Sequence, residues 1–275
     1  MKKFSLAFLL VLAMLVLAAC GGGSPEEDPT TDDAADNGGS GEDVLAKVKE
    51  EGTLVIGTEG TYPPFTFHDA SGELTGFDVE IAREIAERLG VEAEFLETQW
   101  DAMFAGLDAG RFDMVANQVG INPERQESYD FSDPYITSTA VLVVAEDNTE
   151  IQSFEDLEGK LSAQSLTSNY AETATSYGAE LEGVEGFNQA IELLNSGRVD
   201  ATVNDNLTVL DFLKQRPDAK VKVVDESGDA AQSALLFRKD SGAIVDEANK
   251  ALAAMIEDGT YDEISEKWFG ENVLE

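Results

Sequence analysis

The 275-residue chain has one cysteine, one histidine and 18 basic residues against 55 acidic ones, a formal net charge of −37. A single Cys excludes an internal disulfide framework and a four-thiolate zinc site. A single His excludes paired-His metal motifs. It leaves only His68 for a Ser-His-Asp arrangement, and no G-x-S-x-G elbow accompanies it. No metal or cofactor is expected. So acidic a surface repels phosphate backbones, which argues against a nucleic-acid partner. Apolar residues, in contrast, are not scarce. Their 43% share is that of an ordinary globular protein. The length gives one or two domains with a sizeable core.

The start of the chain, MKKFSLAFLLVLAMLVLAAC, has two lysines, then an apolar stretch ending in small residues at Cys20. The stretch is short for a spanning helix and reads as a secretory signal over residues 1–19. Leu17-Ala18-Ala19-Cys20 resembles the bacterial lipobox, in which the Cys is lipidated; a plain signal with a chance Cys is the alternative. A diacylglyceryl group supplies the two chains that stable anchoring needs. Loss of the leader leaves 16 basic and 55 acidic residues, so the negative charge belongs to the exported part. Residues 21–43 are mostly Gly, Ser, Thr, Pro and acids, with no aromatic residue and no base. Such a segment buries too little apolar surface to offset the entropy of ordering. It reads as a tether, with folding expected from about Val44. The eight acids there account for a minor part of the charge. The rest must coat the body, as in proteins adapted to high salt.

The body alternates strands with helices. TLVIG (53–57), AEFLE (93–97) and FDMVA (112–116) read as strands. Asp78–Leu89 has helical apolar spacing, with Asp78 as expected N-cap and Gly90 as stop. Residues 101–109 form a second predicted helix, and 243–257 and 260–268 the last two. Alternation implies α/β architecture with largely parallel sheets. LDAGRFDMVAN (107–117) and LNSGRVDATVN (194–204) share one pattern: Leu, Gly-Arg, apolar, Asp, then a strand ending in Asn. Either αβ connections converge on this syntax, or two lobes are built alike. In open α/β sheets ligands bind beyond the carboxyl ends of strands, here Asn117-Gln118 and Asn204-Asp205. TAVLVVA (139–145) and SALLF (233–237) fit strands passing from one lobe to the other and back. The expected lobes are 44–138 plus 233–275, and 139–232.

Five motifs in register, GTEGTYPPFTF (57–67), LTGFDVEIA (74–82), NQVGINPERQESYDFSDPY (117–135), GRVDATVND (197–205) and GTYDEISEKWFG (259–270), resemble the bacterial extracellular solute-binding proteins of polar-amino-acid ABC importers. The NQVGI form resembles the L-cystine-binding branch, from whose commoner Gly-Ile-Thr the chain departs with Gly120-Ile121-Asn122. The resemblance implies a two-lobed, periplasmic-binding-protein-like (type II) α/β fold with two crossover hinge strands and a central cleft. It implies a monomer at the outer face of the cell membrane that hands an amino acid to an ABC permease and its ATPase.

An amino-acid zwitterion asks for a cation and an anion at fixed separation. By resemblance, Arg125 is the carboxylate ligand, since a guanidinium holds a carboxylate bidentately. A surface Arg paired with Glu124 or Asp130 is the bland alternative. Gly120 would offer its N–H, and Ser168 and Asn169 donors at a helix N-terminus. Asp205 would accept from the ammonium, with Glu59 as a second acceptor. Tyr62 and Trp100 would sandwich the side chain. Asn117 and Gln118 would address a distal polar group. His68 is expected to have no role. L-cystine leads as ligand, with glutamine, glutamate or another polar amino acid as alternatives. A sensory module and a dehydratase on the same fold are competing classes; no enzymatic activity is expected.

Overall fold

The computed structural model describes residues 41–274. The leader, Cys20 and the tether up to residue 40 lie outside the described residues. Folding starts sooner than expected, because α1 spans Gly41–Glu51. Composition marked this stretch as tether, yet acids at a helix start favour the helix dipole.

After α1 come β1 (Thr53–Thr58), β2 (Thr61–Tyr62), β3 (Thr66–His68), β4 (Leu74–Thr75), α2 (Phe77–Leu89), β5 (Glu92–Glu97), α3 (Trp100–Asp108), β6 (Met114–Gly120), α4 (Pro123–Ser128), β7 (Tyr129–Phe131) and β8 (Ile136–Ser138). The next stretch holds β9 (Ala140–Ala145), β10 (Leu161–Gln164), α5 (Asn169–Ser176), β11 (Glu180–Gly183), α6 (Phe187–Asn195), β12 (Ala201–Asp205), α7 (Asn206–Gln215) and β13 (Val221–Glu226). The chain closes with β14 (Ala231–Arg238), α8 (Gly242–Asp258) and α9 (Thr260–Phe269).

Two mixed sheets and a small antiparallel one, β2-β3-β4, result. One runs β5-β1-β6-β14-β7, with β8 also on β14, and the other runs β11-β10-β12-β9-β13. In each, the first three strands are parallel, and one reversed strand, β14 or β9, runs antiparallel to every strand it pairs with. Helices cover both faces. On the first sheet, α1, α2, α8 and α9 enclose one core, while Trp100, Met103 and Leu107 of α3 form the other with Phe112, Val115 and Leu236. On the second, α6 and α7 pack on one face and α5 on the other. The chain passes between the sheets twice, from β8 to β9 and from β13 to β14. The two passages are bonded to each other: Ser227 N donates to Ala140 O at 2.7 Å, and Ala140 N to Ser227 Oγ at 3.1 Å.

Two local expectations change. The apolar spacing of α2 is observed, with Val79, Ile81, Ala82, Ile85, Ala86 and Leu89 all buried and Gly90 at φ 73. Asp78, however, is not its cap. Gly76 takes that place at φ 133, where a Cβ would lie 2.1 Å from Phe65 O, so the helix starts earlier and Asp78 turns inward. The strand expected at 112–116 starts at Met114 and runs to Gly120, every residue buried. Pairing with β14 carries it through Asn117 and Gln118.

Candidate functional site

The carboxyl ends of β1, β6, β10 and β12 converge on a cleft. From the first sheet's side it is lined by Glu59, Tyr62, Trp100, Asn117 and Gln118; from the second's by Ser168, Asn169, Tyr170, Phe187 and Asn204. Seven of the ten predicted ligand-contact residues therefore line it. Gly120, Arg125 and Asp205 sit just behind the lining, already bonded to protein groups.

Asp205 is fully buried. Its Oδ1 caps α7 by accepting from Leu207 N at 2.9 Å. Its Oδ2 accepts from Ser138 Oγ (2.5 Å), Gln118 Nε2 (2.6 Å) and Tyr170 Oη (3.1 Å). Burial nevertheless outweighs these bonds and pushes its pKa up. The pocket side of Asp205 is thus occupied by the amide of Gln118, reaching across from the other sheet. The Gln118 amide is engaged on Asp205 while its side chain lines the cleft. Its backbone is left-handed, φ 48, and its N–H donates to the buried Asp78 carboxylate. Asp78 Oδ1 and Tyr135 Oη lack hydrogen-bond partners, and burial raises Asp78 to about 7.

Glu59 lies at the end of β1. Asn117 Nδ2 donates to its Oε2 at 2.7 Å, while Asn117 Oδ1 accepts from Glu59 N at 2.8 Å. Loss of hydration raises the Glu59 carboxyl to about 7. Tyr62 Oη donates to Asn204 Oδ1 at 2.8 Å, a second bridge between the sheets. Trp100 is 7% exposed, and its Nε1 has no partner.

Arg125 is 7% exposed. Its Nη1 donates to Gly120 O at 2.9 Å and its Nη2 to Thr167 O at 3.1 Å. Its carbon Cζ stands 5.4 Å from the Trp100 ring and 5.2 Å from that of Phe104. Among the described residues no carboxylate comes within ion-pair distance of it; Glu172 and Glu124 act from farther off, and burial lowers its pKa. The surface pairing with Glu124 or Asp130 is therefore not what is observed. Gly120 offers Arg125 its carbonyl. Its missing Cβ would meet only the Asn169 carboxamide at 3.6 Å, an ordinary contact. Ser168 caps α5, accepting from Ala171 N at 3.1 Å.

Sequence reasoning missed Tyr170 and Phe187 as lining residues. Asn204 was placed at a ligand-facing strand end, where it matches Asn117 of the 107–117 motif, but was given no contact role. Tyr170 follows Asn169 in the same loop. Phe187 carried no signal. His68 is exposed at the end of β3, its Nε2 2.9 Å from Glu97 Oε1 and outside the cleft lining. No metal-binding cluster occurs among the described residues.

The sequence profile of the family described as "Bacterial extracellular solute-binding proteins, family 3" matches residues 54–271. The L-cystine-binding protein TcyA of Bacillus subtilis (strain 168) is 54% identical over 232 residues, covering 84% of this chain and 86% of that protein. The crystal structure of the L-cystine solute receptor of Neisseria gonorrhoeae, in its unliganded open conformation, is 47% identical with a TM-score of 0.56, covering 84% of this chain and 99% of that one. An ancestral arginine-binding protein bound to glutamine is 41% identical with a TM-score of 0.77, covering 80% and 99%. The nearer sequence superposes less well.

Proposed function

Since the chain belongs to the bacterial extracellular solute-binding proteins of family 3, we propose that it captures L-cystine outside the cell for an ABC importer. Arg125 carries the reading. A guanidinium buried with only carbonyl partners is a costly arrangement until an anion joins it. Behind the other side of the cleft stands a buried carboxylate, Asp205. Together they match the two charges of an amino-acid zwitterion, and Tyr62 and Trp100 flank the side chain. In this reading Asn117, Gln118 and Glu59 address the far half of cystine. Gly120, Ser168 and Asn169 complete the carboxylate's donors.

Residues 44–138 with 233–275 move as one lobe and 139–232 as the other, about the two bonded passages. Lipidation at Cys20 holds the monomer to the membrane, with the segment from there to residue 40 as tether. The likeness to TcyA supports cystine; the likeness to a glutamine-bound ancestor makes glutamine the second reading. Calorimetry with L-cystine, L-glutamine and L-arginine decides between them. Arg125→Ala is expected to lose measurable affinity for every amino acid. Undiminished binding in that variant would sink the assignment.

A further inference from the structure

The loop between β10 and α5 reaches from the second sheet's half to the first and meets two groups of opposite charge. Asp101, in the first turn of α3, accepts from Thr167 N at 3.1 Å and from Thr167 Oγ1 at 2.8 Å, both through Oδ1. Arg125 Nη2 donates to Thr167 O at 3.1 Å. Both peptide groups flanking one residue are thus held by the opposite half. The loop is presented as a formed turn, with Ser168 N bonded to Ser165 O at 3.0 Å and Ser168 Oγ capping α5. Leu166 packs against Gly183, within 3.2 Å of where a Cβ would be.

None of Asp101, Thr167 and Arg125 lines the cleft. The bridges from Tyr62 and Gln118 occupy polar groups that a ligand must share. This contact stands outside the lining and uses none of those groups. A guanidinium has five N–H donors. Two of Arg125's serve Gly120 and Thr167, so three remain for a carboxylate.

We infer that Thr167 is a closure clasp and that Asp101 is a positioning residue acting through it on Arg125. This rests on the reading of the cleft as an amino-acid site that closes by hinge motion. The clasp favours the closed form by contacts between protein groups, so part of the ligand's affinity is population shift rather than ligand contact.

The test uses the full chain with L-cystine and L-glutamine as probes. Asp101→Ala is expected to raise Kd about tenfold, mainly through faster release, and Thr167→Val by a smaller factor. The double variant should bind no more weakly than Asp101→Ala, and Thr167→Ser should bind as the native chain does. X-ray scattering without ligand should show both single variants more extended than the native chain. Native affinity and native scattering in both single variants would overturn the clasp, as would effects that simply add. Arg125→Ala separates the two ideas. If it alone abolishes binding, the site stands whatever happens to the clasp; if it binds normally, both fall.

Discussion

The segments 107–118 and 194–205 are built alike in their first half and differently in their second. In both, a helix ends and a Gly takes a left-handed φ, 67 at Gly110 and 66 at Gly197. Arg111 N bonds Gly106 O and Arg198 N bonds Leu193 O, each at 3.0 Å. An Asp then ties the new strand to the one beside it. Asp113 N donates to Val55 O at 2.8 Å and its Oδ2 accepts from Val55 N at 3.2 Å. Asp200 does the same with Leu161, both distances being 2.8 Å. Divergence follows. The Asp113 side chain is fully buried beside Lys47 (3.1 Å) and Arg238 (3.8 Å), whereas Asp200 is exposed. At the cleft, β6 presents Asn117-Gln118 where β12 presents Asn204-Asp205. One scaffold thus places two strand ends, and a single exchange of amide for carboxylate makes one an amide donor and the other an anion.

Exchanging those ends is the largest perturbation available. Asp205→Asn keeps the volume but removes the carboxylate proposed for the ammonium and leaves an amide opposite the Gln118 amide. Its Kd is expected to rise on the order of 100-fold or more, as for truncating one side of a buried charge pair. Gln118→Asn tolerates the left-handed backbone and shortens the reach to Asp205, whose carboxylate keeps its bonds from Ser138, Tyr170 and Leu207, so about tenfold is expected. Calorimetry on the two variants checks the order. Equal losses would mean that the strand ends share one role.

The turns themselves give the next effect. Asp113→Ala takes a carboxylate from Lys47, Arg238 and the Val55 N–H and should cost about 2–3 kcal/mol of stability. Asp200→Ala removes one bond at an exposed site and should cost about 0.5–1 kcal/mol. Urea unfolding measures both. Matching costs would show that Lys47 and Arg238 add nothing to the first turn. Those two residues come from α1 and β14, so this pair stitches the beginning and the late part of the described chain to one strand.

Much of this was legible in the sequence because it is local. The helical spacing from Val79 to Leu89, the Gly stops and the apolar run at 140–145 each write their structure within a few residues. So does the matched Gly-Arg-x-Asp, which sets both turns. What escaped is written across the chain. Asp78 sits after a Gly at the start of a helix, which reads as a cap, and only the approach of Gln118, forty residues on, assigns it otherwise. The Tyr62 bond to Asn204 joins positions 142 apart, and the Thr167 bond to Asp101 joins positions 66 apart. No periodicity encodes such pairs. Arg125 was named through resemblance; its isolation from carboxylates appears only in three dimensions.

The smallest expected effect is a slope with pH, and it belongs to the first sheet's side of the site. Asp78 and Glu59 both have carboxyls raised to about 7. A carboxyl raised on folding binds its proton more tightly folded than unfolded. Stability is therefore highest below the ordinary carboxylate range, falls as pH rises toward 7, and stays low above it. One such group contributes at most about 1.4 kcal/mol per pH unit. For Asp78 the Gln118 N–H favours the charged form and reduces the slope. The general acidity of the chain has the same sign, so the measurement is a difference. Urea midpoints from pH 5 to 8 should fall less steeply in Asp78→Asn than in the native chain. Parallel profiles would mean that Asp78 stays ionised throughout, its charge held by hydrogen bonding against the cost of burial.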